Sequence, residues 1–172
     1  VATKMKVGLG PRADIKLAEA VRRGIGDDFR FMVDANHCYT TSDAFEVGRV
    51  LEDLDAYWFE EPIAPEDLQG YRELRAGLNV NISGGEAEFN RWGWRSLLES
   101  RGLDIAQPEV CALGGISEYL RVLALCHAHF TPVVNHVWGS AVAVATNMHL
   151  LASMPDLPGG MNPWEPMLEF DT

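Results

Sequence analysis

Apolar and polar positions along the chain change period repeatedly, and the changes mark out alternating elements. A β-like run at Lys4–Leu9 (KMKVGL) is followed by a helical pattern over Asp14–Gly26. Extended, largely apolar runs recur at Phe29–Ala35, Ala56–Glu60, Asn79–Ser83, Asp104–Gln107 and Pro132–His136. Helical patterns separate or follow them at Ser42–Leu54, Pro65–Ala76, Trp92–Ser100, Ile116–His129 and Ser140–Met154. In the second helix Ala44, Val47, Leu51 and Leu54 fall on one face. Short strands alternating with helices of ten or more residues predict βαβ units and a parallel sheet.

The polar residues at strand ends sharpen this to an architecture. Asp34, Glu60 and Glu86 lie 26 residues apart in turn; Glu109 and His136 follow after 23 and 27, and Glu169 after 33. The last gap is stretched by the Pro/Gly-rich PDLPGGMNPWEP. A polar residue at the carboxyl end of each successive strand is the active-site pattern of a (β/α)8 barrel. A doubly wound sheet would gather its ligands at one switch point, and no GxGxxG follows the first strand. The expected class is therefore α/β, a TIM-type barrel of about six to seven βα units. That is incomplete against the eight units and about 250 residues of a closed barrel.

Composition narrows the chemistry. The 172 residues are 47% apolar and 23% charged, enough for one domain with a sizeable core. A net charge of −11 argues against nucleic acid as a partner. It leaves room for an anionic small molecule if a metal or local lysines offset the field. No apolar run reaches membrane length. Cys38, Cys111 and Cys126 make a poor disulfide framework, and reduced thiols suit a cytoplasmic location.

Neighbouring strand ends stand about 5 Å apart, so Asp34, Glu60 and Glu86 would converge. Three such carboxylates repel unless a cation neutralises them, and hard oxygen donors select Mg2+. The competing reading is three unrelated surface acids. Lys4 and Lys6, at i and i+2, point to one face; they are a candidate base and its companion, or a solvated pair at the chain's start. His136 ends the run PVVNH, and Glu109 could orient its ring and raise its basicity. It could equally be a core histidine. His37 is a weaker candidate for the mouth, and His127, His129 and His149 read as structural. In WFEEPI, Glu60 is the ligand candidate and Glu61 its neighbour.

KMK, the DAN of Asp34–Asn36, FEEP, the GGE ending at Glu86, QPE followed by GG, and NHVWGS occur in order along nearly the whole chain. Together they resemble the mandelate racemase subgroup of the enolase superfamily. The tail NPWEPMLEFDT is most similar to the acid-sugar branch, including dehydratases and galactarolactone cycloisomerase-like enzymes. The resemblance implies Mg2+ held by Asp34, Glu60 and Glu86, with Lys6 the base on one substrate face and His136 the base on the other. It implies that Lys4 contacts the substrate carboxylate, that Asn36 lies near metal and substrate, and that Glu169 bonds the developing enediolate. Glu165 is the alternative to Glu169. Glu109 stands where the family usually has Asp, one methylene shorter.

The implied activity is Mg2+-dependent abstraction of the proton α to a carboxylate. Acid-sugar dehydration or lactone cycloisomerisation comes first; racemisation or epimerisation of a 2-hydroxy acid and a non-catalytic metal-binding barrel are the alternatives. The implied partner is a small acid sugar, and a homo-oligomer is compatible with the sequence. The resemblance also implies that residues 1–172 are part of a C-terminal catalytic barrel, lacking an N-terminal capping domain and the first barrel strand.

Overall fold

The computed structural model describes residues 2–155 and 167–169. The chain divides into two compact units, residues 1–83 with 100–103, and residues 84–99 with 104–172.

The first unit is built from β1 (Ala2–Lys6), α1 (Pro11–Ile25), β2 (Arg30–Asp34), α2 (Thr41–Asp53), β3 (Ala56–Glu60), α3 (Leu68–Gly77) and most of β4 (Asn81–Gly84). Its strands pair in parallel, in chain order. The register puts Lys4 beside Met32 and Lys6 beside Asp34, then Met32 beside Trp58 and Asp34 beside Glu60. Trp58 and Glu60 in turn lie beside Asn81 and Ser83. Side chains alternate along each strand, so one face carries these residues and the opposite face carries Val33, Phe59 and Ile82. Those three are fully buried, and α2 and α3 contribute Ala44, Val47, Leu51 and Leu74 to the core. Burial of both strand faces is what a parallel sheet with crossover helices demands.

Local chemistry sets the element ends. β1 stops at Lys6 rather than Leu9 because the Gly8 and Leu9 N–H groups turn to the buried Asp14 carboxylate, which also accepts from Tyr39 Oη at 2.7 Å. Pro11 opens α1, where its missing N–H costs nothing. Thr40 caps α2 by accepting from Asp43 N. Asp67 caps α3 at Gly70 N, which starts that helix at Leu68 rather than Pro65. At the opposite end from the polar strand termini, Arg22 is 8% exposed. It donates to the carbonyls of Gly26, Phe29, Leu54 and Asp55 at 2.8–2.9 Å, stitching α1 to the loops that enter β2 and β3.

The second unit contains α4 (Arg91–Ser100, its last residue in the first unit), β5 (Ile105–Ala106), α5 (Ile116–Ala128) and α6 (Ala141–Ser153). Gln107 N donates to Gly84 O at 2.9 Å, joining the segment after β5 to the end of β4. Trp94, Leu97, Tyr119, Val122, Cys126 and Leu150 are among its buried side chains. The expected strand at Pro132–His136 is not a ladder strand: it makes one parallel bridge, Ala106↔Val133. β5 has only two residues to pair with, and after Val134 N→Ala106 O the main chain finds its partners elsewhere. No helix among the described residues is long and apolar enough to cross a membrane.

Replacing Arg22 by Met keeps the stem and strands the four carbonyls. Urea unfolding of the full-length protein is expected to show a loss of about 3 kcal/mol, from buried acceptors left unsatisfied. A loss below about 1 kcal/mol would show that water replaces the guanidinium there.

Candidate active site

In the first unit Asp34 and Glu60 are both fully buried at the ends of adjacent strands. Lys4 Nζ lies 3.2 Å from Asp34 Oδ2 and 2.9 Å from Glu60 Oε1. Lys6 Nζ donates to the same Asp34 oxygen at 2.5 Å and to Asn36 Oδ1 at 2.9 Å. Lys4 is 14% exposed in its side chain and Lys6 54%, so one ammonium is enclosed and the other reaches toward solvent. Burial acts to raise the Asp34 carboxyl, but the Lys4 charge and the Lys6 hydrogen bond outweigh it and hold it below the ordinary value. Asn36 N also donates to Asp34 Oδ1 at 3.0 Å.

Glu60 has a partner that reading for charged residues misses. Trp58 Nε1 donates to Glu60 Oε2 at 2.9 Å in a buried contact. The signal was available in WFEEPI, because Trp58 and Glu60 stand at i and i+2 on one strand face. One residue on, Glu61 takes a left-handed backbone (φ 40°) and its side chain, 1% exposed, departs from Glu60's direction. Its carboxylate lies 2.5 Å from His37 Nε2, and its carbonyl accepts from His37 N at 2.8 Å. Asn36 and His37 are left-handed too, at 40° and 66°. Non-glycine residues seldom adopt this conformation, and here three of them turn the loops after β2 and β3. The two glutamates therefore have separate surroundings.

In the second unit Glu86 follows β4 by two residues. Gly85 between them has φ +118°, and a Cβ there would fall 2.3 Å from the ring of the buried Trp94. The second glycine of GGE is thus a steric requirement. His136 is 7% exposed, with Nδ1 2.9 Å from Glu109 Oε2 and Nε2 2.8 Å from Glu86 Oε2. Glu169 Oε2 is 3.9 Å from Nε2 and accepts from Val137 N at 3.2 Å. Glu109 also accepts from Cys111 N at 2.9 Å and Trp138 N at 3.2 Å, so one carboxylate orients both the imidazole and the chain beside it. Burial opposes charge on His136, yet its bonds to Glu109 and Glu86 prevail and push it up to about 10. Burial likewise acts to raise Glu109, and His136 with the two backbone donors holds it below the ordinary carboxylate value. Glu165 lies outside the described residues.

The site candidates thus form two clusters: Lys4, Lys6, Asp34, Asn36 and Glu60 in the first unit, and Glu86, Glu109, His136 and Glu169 in the second. The donor set suits a hard divalent cation. Asp34 and Glu60 are buried oxygen donors that face the Lys4 and Lys6 ammonium groups. Residues 1–163 match the family described as Enolase C-terminal domain-like. The chain belongs to this enolase family.

Among its enolase-superfamily relatives is D-galactarolactone cycloisomerase of Agrobacterium fabrum, 40% identical over 99% of this chain and 45% of the relative. Arabinonate dehydratase of Saccharolobus solfataricus is 33% identical over 87% of this chain and 41% of the relative. The chain spans less than half the length of the curated relatives it matches. Among solved structures, the 3,6-anhydro-D-galactonate cycloisomerase from Zobellia galactanivorans superposes with a TM-score of 0.87 and 43% identity, over 89% of this chain and 44% of that one. A racemase from Streptomyces coelicolor A3(2) with bound magnesium superposes at 0.81 and 32% identity, over 90% and 45%. The parallel strand–helix alternation is therefore part of an enolase-superfamily TIM-type barrel.

Gly85→Ala is expected to lower stability by about 3 kcal/mol, combining backbone strain with overpacking against Trp94. Denaturant midpoints of the full-length protein measure it, and an unchanged midpoint would mean the Trp94 ring yields without cost.

Proposed function

We propose that the whole protein removes the proton α to a carboxylate of an acid sugar, leading to dehydration or lactone cycloisomerisation. The observation that carries this reading is the placement of Lys4 and Lys6 against the buried Asp34 and Glu60 on one strand face. A fold has no packing reason to bury two acids there, since buried charge is costly even when paired. Catalysis of a reaction that develops negative charge supplies a reason.

Asp34, Glu60 and Glu86 are the proposed Mg2+ ligands. When bound, the cation supplies positive charge to the substrate carboxylate and to the charge that proton loss creates. Lys4, enclosed and fixed by Asp34 and Glu60, offers its ammonium to that same carboxylate. Lys6 accepts the α-proton at Nζ, and Asn36 Oδ1, now bonded to it, aims the amine. His136 serves the other substrate face through Nε2 while Glu109 holds Nδ1. Glu169 is the proposed hydrogen-bond partner of the developing enediolate.

Lys6 on one substrate face and His136 on the other would also serve racemisation or epimerisation, since each turnover then needs one of them as base and the other as acid. The cycloisomerase and dehydratase relatives, 40% and 33% identical, support placing the lyase and cycloisomerase readings first.

Incubating the full-length protein with Mg2+ and galactarate, D-galactarolactone or arabinonate in deuterated water separates them. A 2-keto product or a rearranged lactone supports the proposal, whereas recovered substrate with inverted configuration and deuterium at the α-carbon assigns epimerisation. Lys6→Ala and His136→Asn are each expected to reduce turnover at least ~100-fold. Undiminished α-proton exchange in both would overturn the catalytic assignment of Lys6 and His136, whereas no exchange by the parent protein would leave a non-catalytic metal-binding barrel. In a Mg2+ titration, Glu60→Gln is expected to weaken binding roughly tenfold or more beyond Glu61→Gln, which removes a neighbour rather than a donor. Equal losses would sink the choice of Glu60 as ligand.

A further inference from the structure

The second unit buries a polar chain that the proposed chemistry does not use. Asn135 is 1% exposed, and Tyr119 and Asn147 are fully buried. Tyr119 Oη donates to Asn135 Oδ1, Asn135 Nδ2 donates to Asn147 Oδ1 at 3.0 Å, and Asn147 Nδ2 donates to Ala143 O at 3.1 Å. Asn147 sits in α6, AVAVATNMHLLAS, where apolar residues dominate. Apolar side chains would fill this space without a desolvation cost, so the amides call for a reason beyond packing.

The neighbouring segment supplies one. Strand pairing ends with Val134 N→Ala106 O, and Val133 makes the segment's single bridge. His136 lies two residues past that last ladder bond. The next two N–H groups, of Val137 and Trp138, go to Glu169 and Glu109 carboxylates rather than to a strand. Side chains alternate along extended chain, so Asn135 points away from the side on which His136 meets Glu109 and Glu86. Its amide is gripped by α5 through Tyr119 and by α6 through Asn147.

We infer that the Tyr119–Asn135–Asn147 chain positions the His136 imidazole, replacing the ladder bonds that a regular strand would have used. These three are positioning residues; only their bearing on turnover rests on the proposed function. Glu109 fixes one end of the ring's surroundings, and the buried amides fix the backbone from behind it.

The test is imidazole NMR of the full-length protein labelled with 15N-histidine, with the His136 Nδ1–H signal assigned by its absence in His136→Asn. Asn147→Leu is expected to raise the exchange of that proton with water at least ~10-fold, or to broaden it away, as for a lost charge-assisted hydrogen bond. Leu150→Ala, a buried truncation on the same helix, is expected to leave the signal in place while lowering stability. Tyr119→Phe removes one donor and keeps the ring packing, and it decides the matter if Asn147→Leu does not fold. An unchanged Nδ1–H signal in the folded variants overturns the inference, and so does its loss in Leu150→Ala to the same extent. If His136→Asn turns over acid sugars like the parent, the proposed function falls while the NMR result still judges the positioning role.

Discussion

Two carboxylates held side by side and away from water constrain the first unit. Asp34 and Glu60 occupy register-paired positions on β2 and β3, and both are fully buried. At about 5 Å and an effective dielectric near 20, their repulsion is about 3 kcal/mol. The two lysines of β1 answer it, because their i, i+2 spacing brings both ammonium groups to the same strand face. The KMK triplet, the DAN loop and the FEEP motif are thus parts of one electrostatic solution. Remove any one and the remaining buried charge is left uncompensated.

Backbone geometry then aims those charges. Left-handed residues immediately follow each buried acid's strand, at Asn36, His37 and Glu61. They let the ladder run up to Asp34 and Glu60 and turn sharply afterwards, so that neighbouring polar side chains part company. In the second unit Gly85 does the corresponding job for Glu86, with the Trp94 ring pressed against the space a side chain would need. There the extra methylene of Glu109 is also put to use. Its carboxylate reaches His136 Nδ1 and still accepts from Cys111 and Trp138 N–H groups.

Under the proposed function, negative charge develops on substrate oxygens. The features of this chain suit that chemistry in kind: buried oxygen donors, enclosed and exposed lysines, and an imidazole between carboxylates. A cycloisomerase, a dehydratase and a racemase all lie among its relatives, and under the proposal a proton transfer is the step they would share.

Much of the fold was legible because period and strand-end polarity are local signals. β3 falls where its apolar run does, and α2, α4, α5 and α6 differ from expectation by a residue or two at their ends. The 26-residue spacing by itself pointed to Asp34, Glu60 and Glu86 as strand-end acids. The misses have physical reasons. Pro132–His136 reads as a strand from its β-branched run, yet strandhood depends on a neighbour, and the two-residue β5 provides little to pair with. Spacing singled out Glu60 over Glu61, but the left-handed turn at Glu61 that gives the two their separate surroundings has no local sequence signal. Which carboxylate each lysine grips, the Trp58 bond to Glu60, and the buried amides behind His136 are contacts between residues distant in the chain or fixed by packing. The sequence alone determined which residues carry charge and at what period they return to the strand ends. Only the tertiary structure decided their partners, because hydrogen bonds and ion pairs act over a few ångströms in space and leave no trace in sequence separation.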